Sequence, residues 1–163
     1  MQVPEIHYKI FSKSKLILRF VIFSLLLVWC LGIISNVIIS NQAVSAITYP
    51  ILKKFYGTVC HQIEAKTFSI SGHNFFVCAR CTGIYFGALI ISIISLFYYP
   101  KINLSRKLFY LALFPMALDV FFAWIGLYRY IKFLAFGTGI FFGSIVFIYI
   151  LAALENYFIT NKV

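Results

Sequence analysis

The chain has 163 residues, of which 63% are hydrophobic and only 11% charged. A water-soluble domain of this length cannot cover so much apolar surface, so that class is excluded and the solvent is largely lipid. Fourteen Lys and Arg against four Asp and Glu give a formal charge of +10, but the basic residues are scattered at the edges of apolar runs, where headgroups and orientation signals place them. No basic face with interleaved aromatics points to nucleic acid.

In chain order, the first apolar run covers about residues 16–39 and contains one charge, Arg19. Its basic start and the nearby Val44-Ser45-Ala46 imitate a secretory signal, but the run exceeds the usual ~7–15 apolar residues and reads as an uncleaved anchor. A long loop, 40–81, follows. Within it Pro50 fits the first turn of a short helix, and Ile51, Leu52, Phe55, Tyr56 and Val59 keep helical spacing, with Lys53 and Lys54 off that stripe. Such a helix lies on the membrane and delivers Cys60 and His61 at its end. Phe68 and Ile70 alternate with Ser69 and Ser71, the Ser71-Gly72-His73-Asn74 stretch is a turn signal, and Phe75-Phe76-Val77 follows. A small hairpin there brings Cys78 back toward Cys60.

The second run, 83–99, is stopped by Pro100. The third, 108–127, holds Asp119, read as the only acid within a span, and the fourth is 131–154. Each is near the ~20 residues that cross a bilayer, and in lipid each must be helical, because every backbone polar group needs an internal partner. The expected fold is therefore an all-α, integral membrane four-helix bundle forming a single membrane domain, 1–163, with a Cys/His-containing interfacial loop between the first and second spans. Tyr98, Tyr99, Tyr110, Tyr128, Tyr130 and Tyr157 sit at run ends, as in an interfacial belt. Thr82-Gly83-Ile84-Tyr85-Phe86-Gly87 recurs as Thr138-Gly139-Ile140-Phe141-Phe142-Gly143, so the second and fourth helices are expected to touch through these glycines.

Four spans put both termini on one side of a multi-pass cell-membrane protein. Eight basic residues accompany the termini and second loop (Lys9, Lys13, Lys15, Arg19, Lys101, Arg106, Lys107, Lys162), against six on the cysteine side (Lys53, Lys54, Lys66, Arg80, Arg129, Lys132). The positive-inside rule then places the termini in the cytoplasm and the cysteine loop outside.

Cys60-His61 and Cys78-x-x-Cys81 supply three thiolates and an imidazole, the ligand count of a closed tetrahedral zinc site. Neighbouring side chains such as Cys60 and His61 diverge, so His73 is a substitute ligand. The same residues support a redox reading. Cys78 and Cys81 lie before a helix N-terminus, with Arg80 between them, and both effects favour the reactive thiolate. A CxxC at the start of the second of four spans also looks like the membrane thiol–quinone oxidoreductases, with quinone as the implied cofactor, although those have a second cysteine pair and here only Cys60 remains outside the spans. A plain structural disulfide, or unmodified thiols, is the third alternative. Cys30, deep in the first span, reads as a small apolar packing residue.

The "CHQ" of residues 60–62 and the "FFVCARCTGIYFG" of residues 75–87 resemble a family of small prokaryotic multi-span membrane proteins of unknown function. The likeness covers about residues 55–145. It implies a multi-span protein with a Cys-His and Cys-x-x-Cys loop, and an aspartate after a proline in a later span, matched by Pro115 and Asp119. Two departures stand out. Where the family often reads Cys-His-x-x-Pro-Glu-Arg-Ser, this chain has Glu64-Ala65-Lys66-Thr67 in the last four positions, and an arginine usually near the later Thr-Gly is replaced by Ala135 and Phe136.

A carboxylate inside a span is costly, which makes Asp119 a functional candidate, and Pro115 four residues earlier favours a kink beside it. Arg80 reads as a thiolate partner, a headgroup anchor or a contact to an anionic substrate. Glu64 is placed to orient His61. No P-loop, Rossmann glycine motif or H-E-x-x-H is present. Three functions fit: a zinc-type binding protein, a thiol oxidoreductase whose catalytic candidates are Cys78, Cys81, Arg80 and Asp119, or an accessory subunit of a membrane complex that docks through its loop; the partner is another membrane protein or the chain forms a homo-oligomer. In each the bilayer is the main partner.

Overall fold

The computed structural model describes residues 5–39, 42–97, 106–127 and 129–160, with side chains over 15–39, 44–97, 107–127 and 129–158. Tyr98, Tyr99, Pro100, Lys101, Tyr128 and Lys162 lie outside the described residues, as do the side chains of Lys9, Lys13 and Arg106. The elements are α1 (Glu5–Ile38), α2 (Gln42–Gly57), a 3₁₀ turn (Glu64–Lys66), β1 (Thr67–Ile70), β2 (His73–Cys78), α3 (Ala79–Phe97), α4 (Arg106–Trp124) and α5 (Lys132–Thr160).

Four of these helices carry apolar stretches long enough to cross a membrane: Lys15–Ile38, Ala79–Phe97, Lys107–Trp124 and Lys132–Phe158. The shortest, at ~1.5 Å per residue, matches the ~30 Å hydrocarbon layer closely. Leu25, Val28, Phe114 and Phe133 are among the large apolar side chains on the outside, while Thr82, Ser92, Ser95 and Asn36 are buried. Small and polar residues inside with bulky apolar ones outside is the pattern lipid demands.

The α3–α5 seam is the closest contact. A Cβ on Gly83 would fall on the Phe136 carbonyl oxygen, and one on Gly143 on the Ile84 carbonyl oxygen. Ser144 Oγ donates to the Gly87 carbonyl at 3.3 Å. The repeated Gly-x-x-x-Gly thus does what its pattern predicts, letting two parallel helices approach backbone to backbone. Antiparallel α1 packs on α3, with Cys30 Sγ 3.7 Å from the Tyr85 carbonyl oxygen. On the other side α4 packs on α5, where the Phe109 ring lies 5.8 Å from that of Tyr149. Helix α4 continues through Pro115.

Several expectations change. The chain is not purely helical: β1 and β2 form a two-stranded antiparallel sheet. Their turn, Ser71 (φ 52°) and Gly72 (φ 82°), has positive φ at both central residues, the type I′ geometry that matches strand twist. Helix α2 starts at Gln42, well before Pro50, which therefore lies inside it. Its predicted apolar stripe is divided. Tyr56 is buried and Leu52 packs against the same core, whereas Ile51, Phe55 and Val59 stay exposed and extend back to Ile47. Helix α3 begins at Ala79, so Arg80 and Cys81 occupy its first turn rather than preceding it. The fourth span runs on to Phe158, so Asp119 is not the only acid within a span, because Glu155 lies there too. Tyr110 and Tyr157 are exposed at run ends, but the Tyr130 hydroxyl turns inward and is buried.

Candidate metal centre

Three elements converge on one point. Cys60 follows α2, Cys78 ends β2, and Cys81 lies in the first turn of α3. Their three sulfurs all lie within 4.8 Å of one another. Tetrahedral coordination at a Zn–S bond of about 2.3 Å needs sulfurs ~3.8 Å apart, so the set fits a thiophilic ion with little movement. All three cysteines are free thiols.

The polar backbone holds the loop in this shape. The Cys60 amide donates to the Tyr56 carbonyl at 3.0 Å, ending α2. Gln62 has φ +50°, a left-handed conformation that reverses the chain after His61. Its Nε2 donates to the carbonyls of Lys53, at 2.8 Å, and Phe76, at 2.9 Å, which ties α2 to β2. The Cys78 amide donates to Cys60 Sγ at 3.3 Å, and Thr82 Oγ1 donates to the Cys78 carbonyl at 3.0 Å. Lys132 Nζ reaches the Thr67 carbonyl at 2.7 Å, anchoring the hairpin to the start of α5.

An apolar shell surrounds the thiols. Cys60 packs in a core with Ile33, Tyr56, Phe76 and Val77, against which Cys78 and Cys81 also pack. Tyr56 stacks on Phe76 with ring centres 5.8 Å apart, and its hydroxyl donates to the Trp29 carbonyl of α1 at 2.9 Å. Gly32 makes this possible, because a Cβ there would fall on the Tyr56 hydroxyl oxygen. Hydrogen bonds from the Cys78 and Cys81 thiols, helped by the Cys78 and Gln62 amides, hold the Cys60 thiol far below its ordinary range despite burial. That is the protonation state a metal ligand or nucleophile requires, and Cys60 reaches it. The Cys81 thiol, buried and hydrogen-bonded to Cys60 and Cys78, keeps its proton, so the thiolate expected at Cys81 from the helix start and Arg80 is found at Cys60 instead.

His61 is exposed and lies outside the thiol group, as does His73 at the start of β2. The adjacent Cys60 turns into the core, and neighbouring side chains diverge. Glu64 is exposed on the 3₁₀ turn, and no hydrogen bond joins it to His61 among the described residues. Arg80 and Asp119 are brought together: Arg80 Nη2 donates to Asp119 Oδ2, linking α3 to α4 beside the thiols. Tyr130 completes this flank, with the Arg80 guanidinium carbon 5.8 Å from its ring centre.

Residue-by-residue reading missed Gln62, Tyr130 and Glu155. Gln62 carried a signal in its place within "CHQ". A buried arginine in a span calls for an acid, which would have pointed from Arg19 to Glu155 and from Arg80 to Asp119.

Residues 60–149 match the family described as predicted membrane proteins (DUF2085). The chain is 40% identical over 103 residues to an uncharacterized protein of Methanocaldococcus jannaschii, a match covering 59% of this chain and 64% of that one. It is 36% identical over 83 residues to an uncharacterized protein of Methanothermobacter thermautotrophicus, covering 50% of this chain and 75% of the relative. The chain thus spans less than two thirds of the length of the Methanocaldococcus protein. No solved structure matches it. With more than half its length matched and four helices of membrane-spanning length, the chain belongs to the DUF2085 family of predicted membrane proteins.

Proposed function

We propose that Cys60, Cys78 and Cys81 form a binding centre for a thiophilic divalent ion of the zinc type, at one face of a multi-pass membrane protein. The supporting observation is the approach of three free sulfurs to within 4.8 Å of one another. They come from three separate elements, so an ion held there would clip α2 and the hairpin to the mouth of α3. Three protein sulfurs, with His61 exposed, leave a fourth position for water or an outside ligand, as in zinc sites that act as Lewis acids. We further place the termini in the cytoplasm. Arg19 and Arg80 are each taken up in ion pairs, so each side loses one loop charge and the basic excess on the terminal side is unchanged.

The same thiols favour a second reading, thiol–disulfide exchange. Oxidation of Cys78 and Cys81 to a disulfide releases two protons and two electrons, which a quinone-class acceptor takes up as quinol. One experiment separates the two readings. The protein is purified without chelator or reductant, its metals are measured by elemental mass spectrometry, and its thiols are counted by alkylation. About one zinc per chain, lost in Cys78→Ala, is the expected result. No metal, with two thiols appearing only after reduction, overturns the metal reading in favour of exchange.

A further inference from the structure

Beside the thiols lies a polar cluster for which metal binding has no use. Arg80 comes from the first turn of α3, Asp119 from α4, Tyr130 from the segment before α5, and Lys66 from the 3₁₀ turn. Lys66 Nζ lies 5.3 Å, and the Arg80 guanidinium carbon 5.8 Å, from the Tyr130 ring centre. Arg80 spends Nη2 on Asp119. Its Nε and the Tyr130 hydroxyl are both buried, and among the described residues neither finds an acceptor; the Arg80 amide approaches the phenolic oxygen, which uses a lone pair and leaves the O–H to donate. Buried donors without acceptors are rare, because each forfeits its hydration for nothing. Two in one cluster mark the place of an acceptor that arrives from outside.

Charge selects the acceptor. Asp119 is matched by Arg80. Glu64, on the same turn as Lys66, is exposed and forms no ion pair with it among the described residues. Arg129 adjoins Tyr130 in the chain and is exposed. Against Lys66 and Arg129 stands the Cys60 thiolate, so the balance stays positive, which favours an anion over a neutral carbonyl. The cluster sits where α3 begins, at the end of a span, the level of lipid phosphates.

We propose that Arg80 Nε and the Tyr130 hydroxyl, with Lys66 alongside, bind a phosphate-type oxyanion, either free or in a lipid headgroup. No sulfur takes part, so the site stands independently of the metal reading. To test it, inorganic phosphate is titrated calorimetrically into the full chain in detergent. In parallel, nanodiscs with and without phosphatidylglycerol are assembled, and retained lipid is counted by mass spectrometry. Arg80→Lys keeps a cation opposite Asp119 and Tyr130→Phe keeps the ring, but each removes one donor. Each should weaken binding about tenfold, the effect of losing ~1.4 kcal/mol. Saturable phosphate binding identifies a free ion, and lipid retention alone identifies a headgroup; either supports the site if both variants weaken it. No binding of either, or unchanged affinity in both variants, overturns it. Cys78→Ala, assayed alongside with its metal content, should keep oxyanion binding. Loss of that binding together with the metal would overturn the site as a separate one.

Discussion

Each end of the bundle carries an arginine–carboxylate pair, and the two are finished differently. At the terminal end Arg19 Nε lies 2.6 Å from Glu155 Oε1, and its Nη1 donates to the Ser95 carbonyl at 2.7 Å. These side chains are 9% and 5% exposed, and the contacts join α1, α3 and α5. At the cysteine end Arg80 holds Asp119 with one nitrogen, leaves Nε without an acceptor among the described residues and is 18% exposed. The charges are alike, but one arginine is fully enclosed and the other is not. A closed pair holds helices together. An arginine with a donor in reserve, beside three converging thiols, is what the proposed oxyanion site requires.

The terminal pair offers the sharpest way to break this contrast. Glu155→Gln keeps the shape and removes the charge, stranding Arg19 among apolar helices. Breaking a buried pair on one side costs about 3–5 kcal/mol. Denaturant unfolding in detergent should show a loss of that order, and Arg19→Leu combined with Glu155→Leu should recover much of it. If the double variant is as unstable as the single one, the pair is not what couples these helices.

The glycine seam connects the two ends and gives the next largest effect. A Cβ on Gly139 would meet the Arg80 carbonyl oxygen, whereas one on Gly87 would meet backbone at Ile140, one turn deeper. Neither backbone can step aside, so each Gly→Ala should cost about 1–3 kcal/mol by overpacking. Only Gly139→Ala pushes on the turn that carries Arg80 and Cys81. It should therefore lower metal retention while Gly87→Ala does not. Equal metal content in the two variants would mean that the cysteine end is held by its loop and not by the seam.

Much of this was legible from local pattern. Span lengths follow from hydropathy, and the α3–α5 contact from the repeated Gly-x-x-x-Gly. Convergence of the cysteines follows from a turn signal between alternating segments, since Ser71-Gly72 returns β2 along β1 and carries Cys78 back toward Cys60. What was not legible depends on pairs distant in the chain. Arg19 and Glu155 are 136 residues apart, and Glu155 lies beyond the point where the last apolar run was judged to end. Tyr130 at a span end looks like a belt residue, and only the packed structure turns its hydroxyl inward. Pro50 misled because proline marks a first turn by preference, yet a helix already under way carries it at the cost of one hydrogen bond. His61 was included by ligand count, although its neighbour Cys60 had already taken the inward direction.

The smallest effect tests the comparison most directly. Asp119→Asn removes the acid at the cysteine end while leaving an acceptor for Arg80 Nη2. Arg80 is partly exposed and sits at a helix mouth, so water can hydrate the freed charge, a route closed to Arg19. The cost should be about 1 kcal/mol, the net worth of an ordinary hydrogen bond, and clearly below that of Glu155→Gln measured in the same detergent. Metal content should be unchanged, since no carboxylate lies among the three sulfurs. Should Asp119→Asn prove as damaging as Glu155→Gln, the two ends are equally structural and the unpartnered Arg80 Nε is only a tolerated cost of packing. A small stability loss with intact metal would leave Arg80 free to act on a ligand without loosening the bundle that holds it.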